Sequence, residues 1–224
     1  MNVPESKVEV KGVEAKFYNS ILDIISAGQY GRMVKKAVTD MHIAAGEKIL
    51  DLGCGTGYND CIMLKHAGKS GKVVGLDIGD EMIRQFEKRC AGYENASIEN
   101  LRIEDELPFK DEFDRVFTSF VFHGFPIEAQ RKIIHNAYDA LKPGAKLTIF
   151  DYAEFDLAEK PWWFRLAFKA IECPLAFKYI KTDWKKALAE SGFAAFEERF
   201  YFKKTIRLLT AVKVADSGRP ISRG

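Results

Sequence analysis

The sequence predicts an α/β domain built on a mostly parallel sheet, and three observations predict it. Short apolar runs alternate with helix-length amphipathic stretches through most of the chain. The first apolar run leads into a loop with glycine at alternate positions, Gly53, Gly55 and Gly57. The second run ends on an acid, Asp77, twenty positions after Gly57 (77 − 57 = 20). Helical crossovers between strands make neighbours parallel and cover both sheet faces, so such strands read as continuous apolar runs.

In order, "EKILDLG" is a first strand, followed by a helix from about Tyr58 to Ala67 and a second strand, "KVVGLDI". "DEMIRQFEKRCA" spaces Met82, Ile83, Phe86 and Cys90 at helical intervals behind an acidic first turn. "ASIENLRI" and "FDRVFTSFVF" are third and fourth strands. "IEAQRKIIHNAYDALKPG" is a helix closed by Pro143-Gly144, and "AKLTIFDYA" is a fifth strand. "FAAFEERFYF" and "TIRLLTAVKV" close the chain as an antiparallel pair. The expected organisation is one domain over 1–213, with a helical cover at 13–42, a helical lid segment at 155–191 and a flexible tail at 214–224.

The chain has 224 residues, enough for one sizeable core. Thirty-four basic and thirty-two acidic residues leave a formal charge of +2, which recommends no nucleic-acid partner. No apolar run is long enough to span a bilayer, and "MNVPESKVEVKG" reads as neither a signal nor a transit peptide. The four cysteines lack metal-ligand or paired-disulfide spacing, so no metal is expected and a reducing cytoplasm is the expected location.

Glycines at a strand's carboxyl end permit a tight turn and a close ligand approach, and a helix N-terminus follows. Ligands of open parallel sheets bind at that end. An acid about twenty residues on is placed to hold ribose hydroxyls, so the loop reads as the seat of an adenosine-containing cofactor. Tyr58 stands where a dinucleotide fingerprint needs glycine, and no phosphate-loop Gly-Lys-Ser/Thr is present.

The pattern D-x-G-x-G-x-G, led by Asp51, resembles the class I methyltransferases that use S-adenosylmethionine. "LKPGAKL" is similar to the family's usual L-K-P-G-G before the fifth strand, "SAGQYGRM" resembles a stretch of the ubiquinone/menaquinone C-methyltransferases, and the resemblance covers roughly 17–213. It implies a Rossmann-like, doubly wound sheet of seven strands with the last antiparallel. It also implies a cofactor set of Asp51, Gly53, Cys54, Gly55, Thr56, Gly57, Asp77, Ile78, Met82, Thr118 and Ser119. The family often carries Gly-Asp four residues before "LPF", the Asp reading adenine; here Arg102 and Ile103 stand there. Ile103 cannot accept that bond, which leaves Glu104 or Asp105, or backbone alone, for the base.

His123, just past the fourth strand, is the first candidate for a general base, followed by Asp151 and Tyr152 at the end of the fifth. The resemblance places Tyr18 where many small-molecule methyltransferases carry an aromatic that covers the cofactor, and Tyr30 and Arg32 near the "SAGQYGRM" stretch, making all three candidate substrate contacts. Trp162 and Trp163 lead a segment that interleaves aromatics with Lys160, Arg165, Lys169, Lys178 and Lys181. Adjacent tryptophans cannot both face one stripe of a helix, so at least one is expected to meet substrate, partner or lipid. The implied acceptor is a hydrophobic small molecule or lipid, a quinone precursor or a phospholipid amine, with peripheral membrane contact. A soluble acceptor and a non-catalytic cofactor sensor or scaffold are the alternatives. Base-amino methyltransferases carry Asn/Asp-Pro-Pro-Tyr where this chain reads "TSFVFHGF".

Overall fold

The computed structural model describes residues 30–215. Tyr18, the first part of the helical cover and most of the tail lie outside the described residues. The elements run α1 (Tyr30–Asp40), β1 (Lys48–Leu52), α2 (Tyr58–Ala67), β2 (Lys72–Leu76), α3 (Asp80–Cys90), β3 (Ala96–Glu99) and β4 (Phe113–Ser119). There follow α4 (Ile127–Ala140), β5 (Leu141–Tyr152), α5 (Trp162–Ile171), α6 (Pro174–Tyr179), α7 (Trp184–Glu190), β6 (Phe193–Tyr201) and β7 (Ile206–Lys213).

Seven strands form one sheet in the order β3-β2-β1-β4-β5-β7-β6. The first five pair in parallel, and β7 runs antiparallel to both its neighbours. The order reverses at β1, so a crevice opens beyond the carboxyl ends of β1 and β4.

Strand alternation divides the core into two layers. Leu50, Leu52, Val74, Leu76 and Val116 face α4 and the lid helices, whose Ile133, Ile134, Phe168, Tyr179 and Trp184 are buried with them. Ile49, Val73, Phe117 and Phe150 face the other way, onto Val34, Ala37 and Val38 of α1 and Met63 and Leu64 of α2. The spacing of Val34, Ala37 and Val38 is one helical stripe, which is why α1 lies flat on the sheet.

Three boundaries differ from expectation. Pro143-Gly144 does not close α4: the helix ends at Ala140, and Leu141 is already extended and pairs with Phe113. Proline disfavours helical geometry in the residue before it, so the chain leaves the helix early. β4 stops at Ser119 because Phe120 takes a φ of 52°, and a short 3-10 turn follows at Phe122–Gly124. β3 stops at Glu99, four residues short of Ile103. The segment 155–191 carries α5, α6 and α7, and Trp184 and Leu188 of α7 lie in the main core.

Candidate active site

The loop after β1 folds back on the end of β2. Gly53 and Cys54 both donate their backbone N–H to the Leu76 carbonyl, at 2.9 and 3.0 Å, and Gly57 donates to Cys54 at 3.2 Å. The glycines serve different ends. A Cβ on Gly53 would fall 2.8 Å from the Val121 side chain, whereas one on Gly55 would meet nothing within 4 Å. Only the Gly55 side is open for a ligand to touch backbone.

Asp77 follows β2, and its carboxylate accepts the N–H of Gly55 at 2.9 Å and that of Gly79 at 2.8 Å. Beyond it lies a cleft of about 520 Å³ lined by Ile78, Leu101, Arg102, Asp105 and neighbours. Ile103 does not face this cleft. Its side chain is buried in the core and its carbonyl accepts from Asn136 Nδ2 at 2.8 Å. Glu104 pairs with Arg102 at 3.1 Å, and Asp105 lines the cleft instead. Because β3 ends early, the residues after it form a loop whose outward positions are not those of a continued strand.

Asp51 and Asp60 are fully buried, one on β1 and one in the first turn of α2. Among the described residues no donor reaches either carboxylate, nor does Ser119 Oγ have a partner. Burial pushes the Asp51 carboxyl well up, and the Asp60 charge beside it adds to the shift. Burial likewise lifts Asp60, to about 7. The pair therefore keeps a proton at neutral pH, because two uncompensated carboxylates cannot share a buried site. Met82, Cys54 and Thr56 are buried around the loop. Thr118 is occupied, donating to the Leu52 carbonyl at 3.0 Å, and thus ties β4 to β1 rather than presenting its hydroxyl outward.

The third part of the site begins two residues past Val121. The His123 ring meets Asp151 Oδ1 through Nδ1 at 2.7 Å and Glu172 Oε2 through Nε2 at 3.3 Å. Asp151 also accepts the N–H of His123 at 3.1 Å and that of Tyr152 at 2.8 Å. Tyr152 donates its hydroxyl to Glu172 Oε1 at 2.7 Å. Burial alone would push the imidazole down, but Asp151 and Glu172 together outweigh it and lift the pKa to about 10.

With its pKa lifted to about 10, the His123 ring carries a proton at neutral pH and is held between two carboxylates. Asp151 orients the ring through Oδ1 and the backbone N–H through Oδ2. Glu172, between α5 and α6, is the second carboxylate on the ring and also accepts the Tyr152 hydroxyl. No sequence motif marked it; only the folded lid brings it across to the histidine.

Tyr152 and Tyr179 wall the histidine, with ring centroids 5.1 and 6.2 Å from its own, and Phe168 packs on Tyr152 at 5.2 Å. Tyr30 reaches this group through Phe120, at 6.1 Å, while Arg32 is exposed on α1. Trp162 and Trp163 do not wall the pocket. They are 72% and 49% exposed on the outer face of α5, beside the 59% exposed Leu166, because Phe164 and Phe168 take the inward stripe. Buried Arg207 donates to Glu154 at 2.9 Å and Glu198 at 2.7 Å, and Glu154 accepts the N–H of Trp184 at 3.1 Å. That network ties the start of α7 to the β6–β7 pair. Among the described residues, no helix is long and apolar enough to cross a membrane.

Residues 49–144 match the family described as a methyltransferase domain. The demethylmenaquinone methyltransferase of Lactiplantibacillus plantarum is 32% identical over 150 residues, 65% of this chain and 62% of that protein. That of Bacillus velezensis is 28% identical over 220 residues, 93% of this chain and 86% of that protein. An S-adenosylmethionine-dependent methyltransferase structure from Aquifex aeolicus superposes with a TM-score of 0.61 at 22% identity, covering 81% of this chain and 89% of the other. At that identity the likeness is one of fold. The chain spans 62%, 56% and 58% of the length of three relatives that are 31–34% identical to it.

Proposed function

We propose that this chain, whose residues 49–144 match the methyltransferase-domain family, moves the methyl group of S-adenosylmethionine to a carbon of a hydrophobic, hydroxyl-bearing acceptor of the quinol type. The observation that carries this reading is the His123 imidazolium held between Asp151 and Glu172 at the open end of β4 and β5. The names of relatives such as the demethylmenaquinone methyltransferases agree with it.

The residues present fit the cofactor. Asp77 supplies a carboxylate for ribose hydroxyls, and the cleft bounded by Ile78, Leu101 and Asp105 has room for a base. Asp51, lacking a donor among the described residues, suits the α-ammonium at the methionine end. When bound, the cofactor supplies a methyl group on a sulfonium, already activated for in-line displacement. What remains for the protein is alignment and one proton.

A phenolic acceptor becomes nucleophilic at ring carbon once its hydroxyl proton is drawn off. Glu172 takes that proton, and the adjacent imidazolium stabilises the developing phenolate. Tyr152, Tyr179 and Phe168 provide apolar walls that exclude water. The exposed face of α5, with Trp162, Trp163 and Leu166 beside Arg165 and Lys169, suits an anionic lipid surface from which such an acceptor would be drawn.

The test is methyl transfer from labelled cofactor to two pure acceptors presented in vesicles, a prenylated naphthoquinol and phosphatidylethanolamine. Label on the naphthoquinol ring is expected. Label on the amine alone would overturn the acceptor class, and label on neither, despite cofactor binding, would favour a sensor.

A further inference from the structure

We propose that Cys61 and Cys90 form a peroxide-sensitive dithiol whose oxidation to an intramolecular disulfide ties α2 to α3 beneath the glycine loop and weakens cofactor binding. Their sulfurs stand 2.8 Å apart, closer than unbonded sulfurs ordinarily pack. Closing to a bond of about 2.05 Å needs only a small further approach. The two thiols differ in access. Cys61 is partly exposed, while Cys90, Cys54 and Cys173 are buried.

Cys61 also sits in a basic setting. Its thiol is drawn down to about 7, first by the hydrogen bond from Cys90 and then by Arg89 and Lys65, against a burial effect that opposes them. An exposed thiolate beside a buried partner thiol is the arrangement of a sensing cysteine with a resolving one. The Cys61 thiolate attacks the peroxide O–O bond, giving a sulfenic acid and releasing hydroxide, which becomes water on taking a proton. The Cys90 sulfur then attacks the sulfenic sulfur, the S–O bond breaks, and the hydroxyl leaves as water with the Cys90 proton. In sum two thiols and one hydrogen peroxide give one disulfide and two waters.

The pair lies against the cofactor loop. Cys90 Sγ is 3.8 Å from the Gly57 carbonyl, and a Cβ on Gly57 would fall 3.1 Å from that sulfur. The Arg89 guanidinium stands over the Tyr58 ring at 5.5 Å, at the first residue of α2. Drawing Cys90 toward Cys61 therefore moves an atom on which the third glycine rests. This second part of the proposal relies on the loop being the S-adenosylmethionine site; disulfide formation does not.

The full chain, purified under reductant and desalted, would be titrated with hydrogen peroxide and mapped by mass spectrometry of a non-reducing digest. The expected result is loss of two mass units, one peptide pair linked through Cys61 and Cys90, and a thermal midpoint raised by roughly 5–10 °C. Cys61→Ser should abolish all three, and Cys173→Ser none of them. Affinity for S-adenosylmethionine, by calorimetry, should fall at least threefold on oxidation and recover with dithiothreitol. No mass loss, or a link through another cysteine or another chain, would overturn the dithiol. An unchanged affinity in the linked protein would overturn the coupling, whereas no binding even in the reduced protein would instead count against the cofactor reading.

Discussion

Asp77 accepts the Gly55 backbone N–H at 2.9 Å, so the acid proposed to hold the ribose also braces the loop across from it. A carboxylate has about four lone-pair sites, and the Gly55 and Gly79 N–H groups both donate to this one. Asp77→Ala should weaken S-adenosylmethionine binding at least tenfold, since each hydrogen bond to a charged acceptor is worth about 1.5–3 kcal/mol. It should also lower the thermal midpoint of the free protein, because Gly55 and Gly79 lose their acceptor. Asp77→Asn keeps one oxygen and should restore part of the midpoint but little of the affinity. Equal affinity of Asp77→Ala and the parent in calorimetry, with the fold intact, would refute the ribose assignment.

Gly53 and Gly55 should respond differently to the same substitution. Both have positive φ, 77° and 55°, so either alanine carries a backbone strain of about 1–2 kcal/mol. Gly53→Ala adds a clash with the short, branched Val121, which also positions the turn before His123. Gly55→Ala adds none, because its methyl would point into open space. Thermal melts should therefore rank Gly53→Ala below Gly55→Ala, while Gly55→Ala should lose more cofactor affinity relative to its stability. The reverse order would mean that Gly55 lies away from the ligand.

Which parts of this site could be read from sequence follows from how local they are. The β1 run, the glycine loop and Asp77 are set by spacing within thirty residues, and the parallel sheet imposes the rest of their geometry. Glu172 was invisible because it reaches His123 only after the lid helices fold over the sheet. Asp60 stands in a helix's first turn, where acids are common, and only its full burial beside Asp51 makes it unusual. Helical spacing required that one tryptophan of the Trp162-Trp163 pair stay off the core stripe, but the inward places went to Phe164 and Phe168, leaving both outside. The strand boundary at Glu99 misplaced Ile103, since strand patterning gives no account of where pairing stops.

The buried Asp51–Asp60 pair should make cofactor binding proton-linked. Before binding, burial and mutual repulsion hold a proton on the pair, with Asp60 lifted to about 7. A cationic α-ammonium beside Asp51 favours the ionised form and expels that proton. Calorimetry of S-adenosylmethionine binding at pH 6.5, in buffers of different ionisation enthalpy, should reveal release of close to one proton. Asp60→Asn should reduce the release and raise the stability of the free protein by about 1–3 kcal/mol, its amide donating to Asp51. A binding enthalpy independent of buffer would exclude the linkage.

The two carboxylates around His123 make folding stability depend on pH. The imidazole is lifted from its ordinary 6.5 to about 10 in the folded protein. A raised pKa contributes stability fully below the unfolded value, and the contribution fades as pH climbs from 6.5 through 10. The loss across that window should be on the order of a few kcal/mol in chemical denaturation, the group being buried. Glu172→Gln removes one of the two carboxylates that lift the imidazole, so the decline should still begin near pH 6.5 but end at lower pH. The same substitution removes the proposed proton acceptor and should lower kcat by about 10²–10⁴, with S-adenosylmethionine affinity changed less than threefold. Tyr152→Phe, which frees Glu172 of one donor, should cost far less. If Glu172→Gln narrowed the stability window but left kcat intact, Glu172 would be a lid latch, and the proton would leave the acceptor by another route.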